Sequence, residues 1–304
     1  MTTLSRPLWC DRPVTTADNQ PAPLRSLAET LAAEAAAFVR RRRGEVFGAG
    51  APGAEDEPVR TKSTPTDPVT VVDTEAERLL RARLAQLRSA DLILGEEGGG
   101  PTDAAASADG AVTWVLDPID GTVNFVYGIP AYAVSVAAQV NGVSVAGAVA
   151  DVAAGTVYSA GAGLGAHVID EHGTRPLRCT AVEDLSLALL GTGFGYSRRR
   201  RAEQAALLAR MLPIVRDVRR IGSAALDLCM VAAGRLDAYY EHGLHLWDCA
   251  AGALIAAEAG ARVVMRGPGG PEGSGNLVVA AAPGIADQLL TALEQFDGLK
   301  PIRD

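Results

Sequence analysis

Hydrophobic and polar positions follow two different patterns along this chain of 304 residues, and the pattern changes near residue 185. In the first part, two helical segments precede a series of short apolar runs. Alternating polarity in the middle runs, with glycine or asparagine between them, predicts antiparallel hairpins. We predict helices at 23–48 and 73–87, and strands at 92–97, 113–117, 131–140, 143–152, 155–160 and 166–170.

Beyond residue 185, strand-like and helical segments alternate, which is typical of layered α/β proteins. The predicted strands are 187–193, 215–220, 235–241 and 276–282, and the predicted helices are 200–212, 222–234, 246–260 and 284–296. We therefore predict an α/β protein whose N-terminal half is α+β and whose C-terminal half is α/β. The expected organisation is a flexible tail at 1–22, an N-terminal domain at 23–185 and a C-terminal domain at 186–304, with loops at 48–58 and 266–275.

Composition and charge narrow the class of protein. Apolar residues make up 48% of the chain and the formal net charge is -8, which suits a soluble globular protein and argues against nucleic acid as the main partner. The apolar runs are too short to span a membrane, and the first residues contain no apolar segment typical of a secretory signal. The cysteines lack the spacing of a metal or redox motif, so we expect free thiols and a cytoplasmic protein.

The segment WVLDPIDGTVNF, residues 114–125, carries the clearest chemical signal. Proline cannot donate to a strand ladder, so we predict that the strand ends at Pro118 and that the following turn brings Asp117 and Asp120 together. Two such charges about 4 Å apart repel by about 4 kcal/mol at an effective dielectric constant of about 20. Mg²⁺, which prefers oxygen ligands, would offset that repulsion. Gly121 and Thr122 then begin a helix whose N–H groups could hold a phosphate.

Three other segments place carboxylates where they could join this pair. Glu96 and Glu97 follow an apolar run in ILGEEGG, Asp73 is the expected N-cap of a helical segment, and Asp248 lies near the start of another. Each has an ordinary explanation by itself, since an Asp before a helix is commonly an N-cap and paired Glu residues commonly form a solvated corner. Their joint occurrence indicates a site for metal and phosphate.

These segments together resemble the inositol monophosphatase family of Mg²⁺-dependent, Li⁺-sensitive phosphatases. The resemblance rests on WVLDPIDGTVNF, the upstream GEE and KSTPTDPVTVVD, and the downstream WDCAAGALIAAEAGA, and it extends from about residue 24 to the C-terminus. It implies a layered α-β-α-β-α sandwich of the sugar-phosphatase type and a homodimer. It also implies two to three Mg²⁺ ions and inhibition by Li⁺.

The resemblance further implies a role for each matching residue. The implied metal ligands are Glu96, Asp117, the backbone carbonyl of Ile119, Asp120 and Asp248. The implied catalytic residues are Asp73, Thr122 and Glu96, of which Thr122 hydrogen-bonds to Asp73 and orients the attacking water. Gly121 and Thr122 would bind the phosphate through their N–H groups, and Gly222, Ala224 and Glu241 would face the polyol.

The implied reaction is hydrolysis of a phosphate monoester by in-line attack of metal-activated water, without a covalent intermediate. The expected substrate is myo-inositol 1-phosphate. Histidinol phosphate, fructose 1,6-bisphosphate and adenosine 3′,5′-bisphosphate remain alternatives. A phosphatase with an Asp nucleophile in D-x-D-G-T is disfavoured, because the spacing here is D-x-x-D-G-T.

A non-enzymatic alternative is a factor that binds RNA or the transcription machinery. Its candidate surface is the basic segment Ser197–Arg201, which we expect to be a solvated helix start, as we expect Arg40–Arg43 to be a solvated helix end. The segment GTGFG at 191–195 lacks the complete dinucleotide-binding pattern. His242 and His245 have no third ligand nearby in sequence, so we expect them to shape a loop.

Overall fold

The computed structural model describes residues 19–48, 59–62, 68–101, 110–266 and 276–302. Most of the predicted tail and of the predicted loops at 48–58 and 266–275 lies outside these ranges. The first helix begins inside the predicted tail, at Pro21, because proline suits the first turn of a helix, where its missing N–H is not needed. The helices are α1 (Pro21–Phe47), α2 (Val71–Leu87), α3 (Thr122–Tyr127), α4 (Arg198–Met211), α5 (Ala224–Ala232), α6 (Leu246–Glu258) and α7 (Ala286–Gln295).

A seven-stranded sheet forms from the first half of the chain, in the order β3-β4-β5-β6-β7-β8-β9. Its strands are β3 (Leu92–Gly95), β4 (Val112–Asp120), β5 (Ala133–Val140), β6 (Val143–Asp151), β7 (Thr156–Gly161), β8 (Ala166–Asp170) and β9 (Gly173–Pro176). The first pair is parallel and the rest are antiparallel, which confirms the predicted hairpins. β9 was not predicted, because its four residues are all exposed and show no apolar alternation.

A five-stranded sheet forms from the second half, in the order β11-β10-β12-β14-β13. Its strands are β10 (Leu189–Thr192), β11 (Asp217–Arg219), β12 (Ala238–Leu244), β13 (Arg262–Arg266) and β14 (Asn276–Ala281). β10, β11 and β12 are parallel, whereas β14 is antiparallel to both of its neighbours. A short hairpin of β1 (Val59–Thr61) and β2 (Pro68–Thr70) precedes α2. The sequence prediction missed β13 and this hairpin.

The two sheets and the helices stack in five layers. Side chains of β4 alternate between two cores: Trp114 and Leu116 pack with α1 and α2, whereas Val115 packs with α5 and α6. α5 and α6 also pack against the five-stranded sheet, whose other face is covered by α4 and α7. The predicted α-β-α-β-α sandwich is therefore confirmed. Because α5 and α6 contact both sheets, the division into domains at 23–185 and 186–304 stays a prediction.

Candidate active site

A β-bulge shapes the segment that carries the first two carboxylates. The predicted strand end at Pro118 is wrong, because β4 continues to Asp120. Between the paired residues Asp117–Ser135 and Asp120–Ala133, two residues of β4 oppose one of β5. A bulge leaves a residue unpaired, so the missing N–H of proline costs no ladder bond there.

Three buried or half-buried carboxylates meet at this bulge. One oxygen from each of Asp117, Asp120 and Asp248 lies within 4.8 Å of the others. Asp248 comes from the first turn of α6, where its carboxylate also accepts a hydrogen bond of 2.7 Å from the backbone N–H of His245. Burial, followed by repulsion from neighbouring carboxylates, raises the pKa of Asp117 and Asp248 well above the usual value. The arrangement therefore brings three acidic groups together in a setting that disfavours their ionised forms.

One oxygen of Asp120 is held by the beginning of α5. The hydroxyl of Ser223 and the backbone N–H of Ala225 donate to it, at 2.5 and 2.7 Å. Burial raises the pKa of Asp120 to about 6, even though these hydrogen bonds lower it. Sequence reasoning missed Ser223, although a serine before an apolar helix is an N-cap signal and Ser223 is the N-cap of α5.

Glu96 reaches the same site from the end of β3, but its carboxylate pairs with a lysine. The ammonium of Lys62 lies 2.7 Å from Glu96 and 2.5 Å from Glu97. Lys62 was not predicted as a site residue, although it begins the KSTPTDPVTVVD segment that carries part of the family resemblance. A positive charge on this side of the site offsets the repulsion between two adjacent glutamates.

Asp73 and Thr122 form a buried hydrogen-bonded pair. The Thr122 hydroxyl lies 3.2 Å from Asp73 Oδ1 and 3.0 Å from the carbonyl oxygen of Ile119, and it can donate its one proton to either. The prediction of Asp73 as an N-cap is wrong, because Thr70 is the N-cap of α2 and Asp73 occupies the third helical position of a capping box. Burial raises the pKa of Asp73 to about 7.

The turn between β4 and α3 depends on glycine. Gly121 has a φ of 95°, in the left-handed region that other residues seldom adopt. A Cβ at this position would also lie 3.0 Å from the carbonyl oxygens of Ala131 and Gly222. The chain can therefore turn directly from Asp120 into α3 and keep close to the segment that begins α5.

One cavity of about 630 Å³ joins these groups. Its walls include ten residues expected from the sequence: Glu96, Asp117, Ile119, Asp120, Gly121, Thr122, Gly222, Ala224, Glu241 and Asp248. Asp73 is completely buried and contacts Thr122 from behind. The cavity also includes Lys62, Arg198, Arg200, Arg220 and Trp247, to which the sequence reasoning gave no role in catalysis. The structure thus brings together residues from segments that are far apart in the sequence.

A family model, described as the inositol monophosphatase family, matches residues 20–297. The chain belongs to the inositol monophosphatase family. A curated relative from Mycobacterium tuberculosis, inositol-1-monophosphatase SuhB, is 72% identical over 291 residues, which cover 96% of this chain and 100% of the relative. The solved structure of Mycobacterium tuberculosis SuhB has a TM-score of 0.79 and 66% identity, with 93% of this chain and 100% of that chain covered. The chain is therefore a phosphatase, as the motifs predicted.

A more distant relative in the comparison bears a different name. The Nus factor SuhB of Pasteurella multocida is 37% identical over 255 residues, which cover 84% of this chain and 92% of the relative. One relative of this chain is therefore named for something other than phosphatase activity.

The basic segments of this phosphatase are largely solvated, as expected, but each contains arginines that make tertiary contacts. In α4, Arg200 is buried and lies against Gly195 and Gly243, whose missing side chains leave room for it. The expected helix-end role of Arg40–Arg43 is wrong, because α1 continues to Phe47 and has no basic residue in its last turn. Arg43 instead donates to the carbonyl oxygen of Phe125 in α3 at 2.9 Å, and Arg40 donates to that of Val152 at 2.8 Å. Tertiary contacts account for both differences, since local sequence does not show which loops approach a helix end.

The remaining motifs have structural roles in the phosphatase. Nε2 of His242 lies 2.8 Å from the carbonyl oxygen of Gly298, and His245 precedes α6 as its N-cap. The three cysteines within the described ranges are free. Across those same ranges, no helix combines the length and apolar character needed to cross a membrane.

Proposed function

We propose that the chain hydrolyses phosphate monoesters of polyols with Mg²⁺, and that myo-inositol 1-phosphate is its preferred substrate. The observation that carries this proposal is the cluster of Asp117, Asp120 and Asp248 in a cavity that also contains Glu241. The name of the mycobacterial relative, inositol-1-monophosphatase, supports the substrate.

The residues of the site fit Mg²⁺. Every predicted donor is an oxygen atom, which is the ligand type that Mg²⁺ selects. The raised pKa values of Asp117 and Asp248 indicate that ionised carboxylates at these positions need a compensating cation. We propose that two to three ions are held by Glu96, Asp117, the carbonyl of Ile119, Asp120 and Asp248. When bound, Mg²⁺ would activate water and offset the charge on the phosphate and on the leaving oxygen.

Asp73 and Thr122 would prepare the attacking water. Thr122 can accept a hydrogen bond from water when its own proton points to Asp73, and that proton arrangement orients the water towards phosphorus. Asp73, whose pKa is raised to about 7, can take up a proton near neutral pH. The N–H groups of Gly121 and Thr122 would hold two phosphate oxygens in line with that water.

Glu241, Gly222 and Ala224 would contact the alcohol part of the substrate. Burial raises the pKa of Glu241 to about 7, and its carboxylate lies at the cavity wall. A carboxylate can accept hydrogen bonds from the hydroxyl groups of a polyol. Histidinol phosphate, fructose 1,6-bisphosphate and adenosine 3′,5′-bisphosphate would use the same chemistry.

A panel of these esters, together with an aryl phosphate, tests the proposed substrate. The expected result is the highest kcat/KM for myo-inositol 1-phosphate. A higher value for a bisphosphate or for histidinol phosphate would replace the substrate and leave the phosphatase chemistry in place. We further propose that the enzyme is a cytoplasmic homodimer and that Li⁺ inhibits it. Sedimentation would measure the oligomeric state, and titration with Li⁺ would measure the inhibition.

A second candidate function is binding to RNA or to the transcription machinery. The observation in its favour is the similarity to the Nus factor SuhB of Pasteurella multocida. Arg198 and Arg199 at the start of α4 are exposed, although Arg199 lies 3.5 Å from Glu203. A salt-dependent mobility shift with RNA would support this function, and no shift at low salt would remove it.

A further inference from the structure

The carboxylate of Glu241 is held by a tyrosine from its own strand. The hydroxyl of Tyr239 donates to Glu241 Oε2 at 2.6 Å. Tyr239 is completely buried and packs among residues of α5, α6 and β14. Its backbone pairs with Gly191 of β10 on one side and Ala280 of β14 on the other, and the ring is enclosed by this core. The donor is therefore fixed before any substrate arrives.

On its other side, the Glu241 carboxylate occupies the space of an absent side chain. Gly193 follows β10 directly, and a Cβ at this position would lie 1.8 Å from Oε2, 2.3 Å from Cδ and 2.5 Å from Oε1 of Glu241. Gly193 is not among the glycines with positive φ, so its φ does not require glycine. Space for the Glu241 carboxylate is thus the physical reason for glycine at this position.

The charged groups near this carboxylate act on it in opposite directions. Arg220 attracts Glu241, and Asp120 repels it, since the first lowers and the second raises its pKa. Asp227 of α5 is buried, and repulsion from Glu241 adds to the burial that raises its pKa. The hydroxyl of Tyr239, by contrast, donates a hydrogen bond directly to the Glu241 carboxylate.

We infer that Tyr239 and Gly193 determine polyol selectivity by fixing the position of the Glu241 carboxylate. This inference rests on the proposed function, in which Glu241 accepts hydrogen bonds from hydroxyl groups of the alcohol. A pre-positioned acceptor rewards a substrate with hydroxyl groups in the matching place and gives no advantage to a substrate without them. Tyr239 and Gly193 are positioning residues, and neither needs to contact the substrate.

Two variants test this inference by different means. Tyr239→Phe removes the donor and keeps the ring, whereas Gly193→Ala adds one carbon atom in the space of the carboxylate. Each should lower kcat/KM for myo-inositol 1-phosphate by about ten-fold, and that for 4-nitrophenyl phosphate by less than about two-fold. The Mg²⁺ concentration for half-maximal activity should not change. Tyr240→Phe is the matched control, because Tyr240 is buried on the opposite face of β12, in the core with α4 and α7.

A double-mutant cycle with Glu241→Ala separates positioning from a general loss of stability. In the Glu241→Ala background, neither Tyr239→Phe nor Gly193→Ala should change the ratio of kcat/KM between the two substrates. Effects that multiply in the double variants, or equal losses on both substrates, would overturn the inference. If Tyr239→Phe lowers the melting temperature strongly, Gly193→Ala decides the result.

Kinetics of the wild-type enzyme separate a failure of the proposed substrate from a failure of this inference. A wild type without preference for myo-inositol 1-phosphate over 4-nitrophenyl phosphate would overturn the proposed substrate, and the inference with it. A wild-type preference that survives both single substitutions would overturn the inference alone.

Discussion

The hydroxyl of Thr122 lies 3.2 Å from Asp73 Oδ1, although 49 positions separate the two residues in the sequence. Asp73 is completely buried, and its second oxygen accepts a hydrogen bond of 2.9 Å from the backbone N–H of Thr70. The capping box of α2 therefore holds the carboxylate that orients Thr122. The same carboxylate thus belongs to the cap of α2 and to the proposed water-activating group.

We expect Thr122→Ala to lower kcat by about 10²-fold, the usual size of a general acid–base contribution. Thr122→Ser is the matched control, because it keeps the hydroxyl and should retain most of the activity. Mg²⁺ affinity, measured by calorimetry, should be similar in both variants, since the proposed task of the hydroxyl is to orient water. A large loss of Mg²⁺ affinity in Thr122→Ala would contradict this division of roles.

Asp120→Asn should keep the fold and lower kcat by about 10²-fold or more, because the variant loses a charge from the proposed metal site. Circular dichroism would verify the fold and steady-state kinetics would measure the loss. Asp287→Asn is the matched control, since Asp287 is an exposed residue of α7. Near-normal kcat in a folded Asp120→Asn variant would exclude Asp120 as a ligand.

Removal of divalent cations should abolish activity, because Asp117, Asp120 and Asp248 repel one another in the cavity. Activity would be measured after chelation and dialysis and again after Mg²⁺ is restored. The restored enzyme should regain its full rate. Substantial turnover in the thoroughly chelated enzyme would refute the metal-dependent chemistry.

The stability of the chelated enzyme should fall as pH rises. The pKa values of Asp120, Asp73 and Glu241 are raised in the fold to about 6, 7 and 7, whereas unfolded carboxyl groups titrate near pH 4. Between about pH 4 and pH 7 the folded state therefore binds more protons than the unfolded state, and the free energy of unfolding decreases with pH. Asp120 alone contributes on the order of 3 kcal/mol to this decrease.

Melting temperatures at about pH 5 and about pH 8, with chelator and with Mg²⁺, would measure this linkage. The chelated enzyme should melt at a lower temperature at the higher pH. Mg²⁺ should restore stability mainly at the higher pH, where it binds ionised carboxylates. A chelated enzyme that becomes more stable between these pH values would show that the carboxylates are not held in an unfavourable environment.

Most regular elements could be predicted from the sequence, because their apolar residues repeat with the period of a helix or of a half-buried strand. β5 to β8 are examples, since alternation and the turn residues between strands both act over a few positions. β9 and β13 were missed: β9 is exposed throughout, and its membership of the sheet depends on a neighbouring strand. The strand end predicted at Pro118 was wrong for the same reason: the bulge there depends on how β4 pairs with β5.

Residue type and local spacing were enough to predict the acidic residues of DPIDGT as oxygen donors, to add further carboxylates upstream and downstream, and to recognise the family. Which of these groups meet depends on the tertiary fold. Ser223 on Asp120, Lys62 on Glu96, and Tyr239 and Gly193 on Glu241 are contacts that depend on the packing of separate elements. Local sequence patterns reflect the period of one helix or strand. These contacts arise instead from the stacking of the layers, which places the ends of β3, β4 and β12 and the beginnings of α5 and α6 around one cavity.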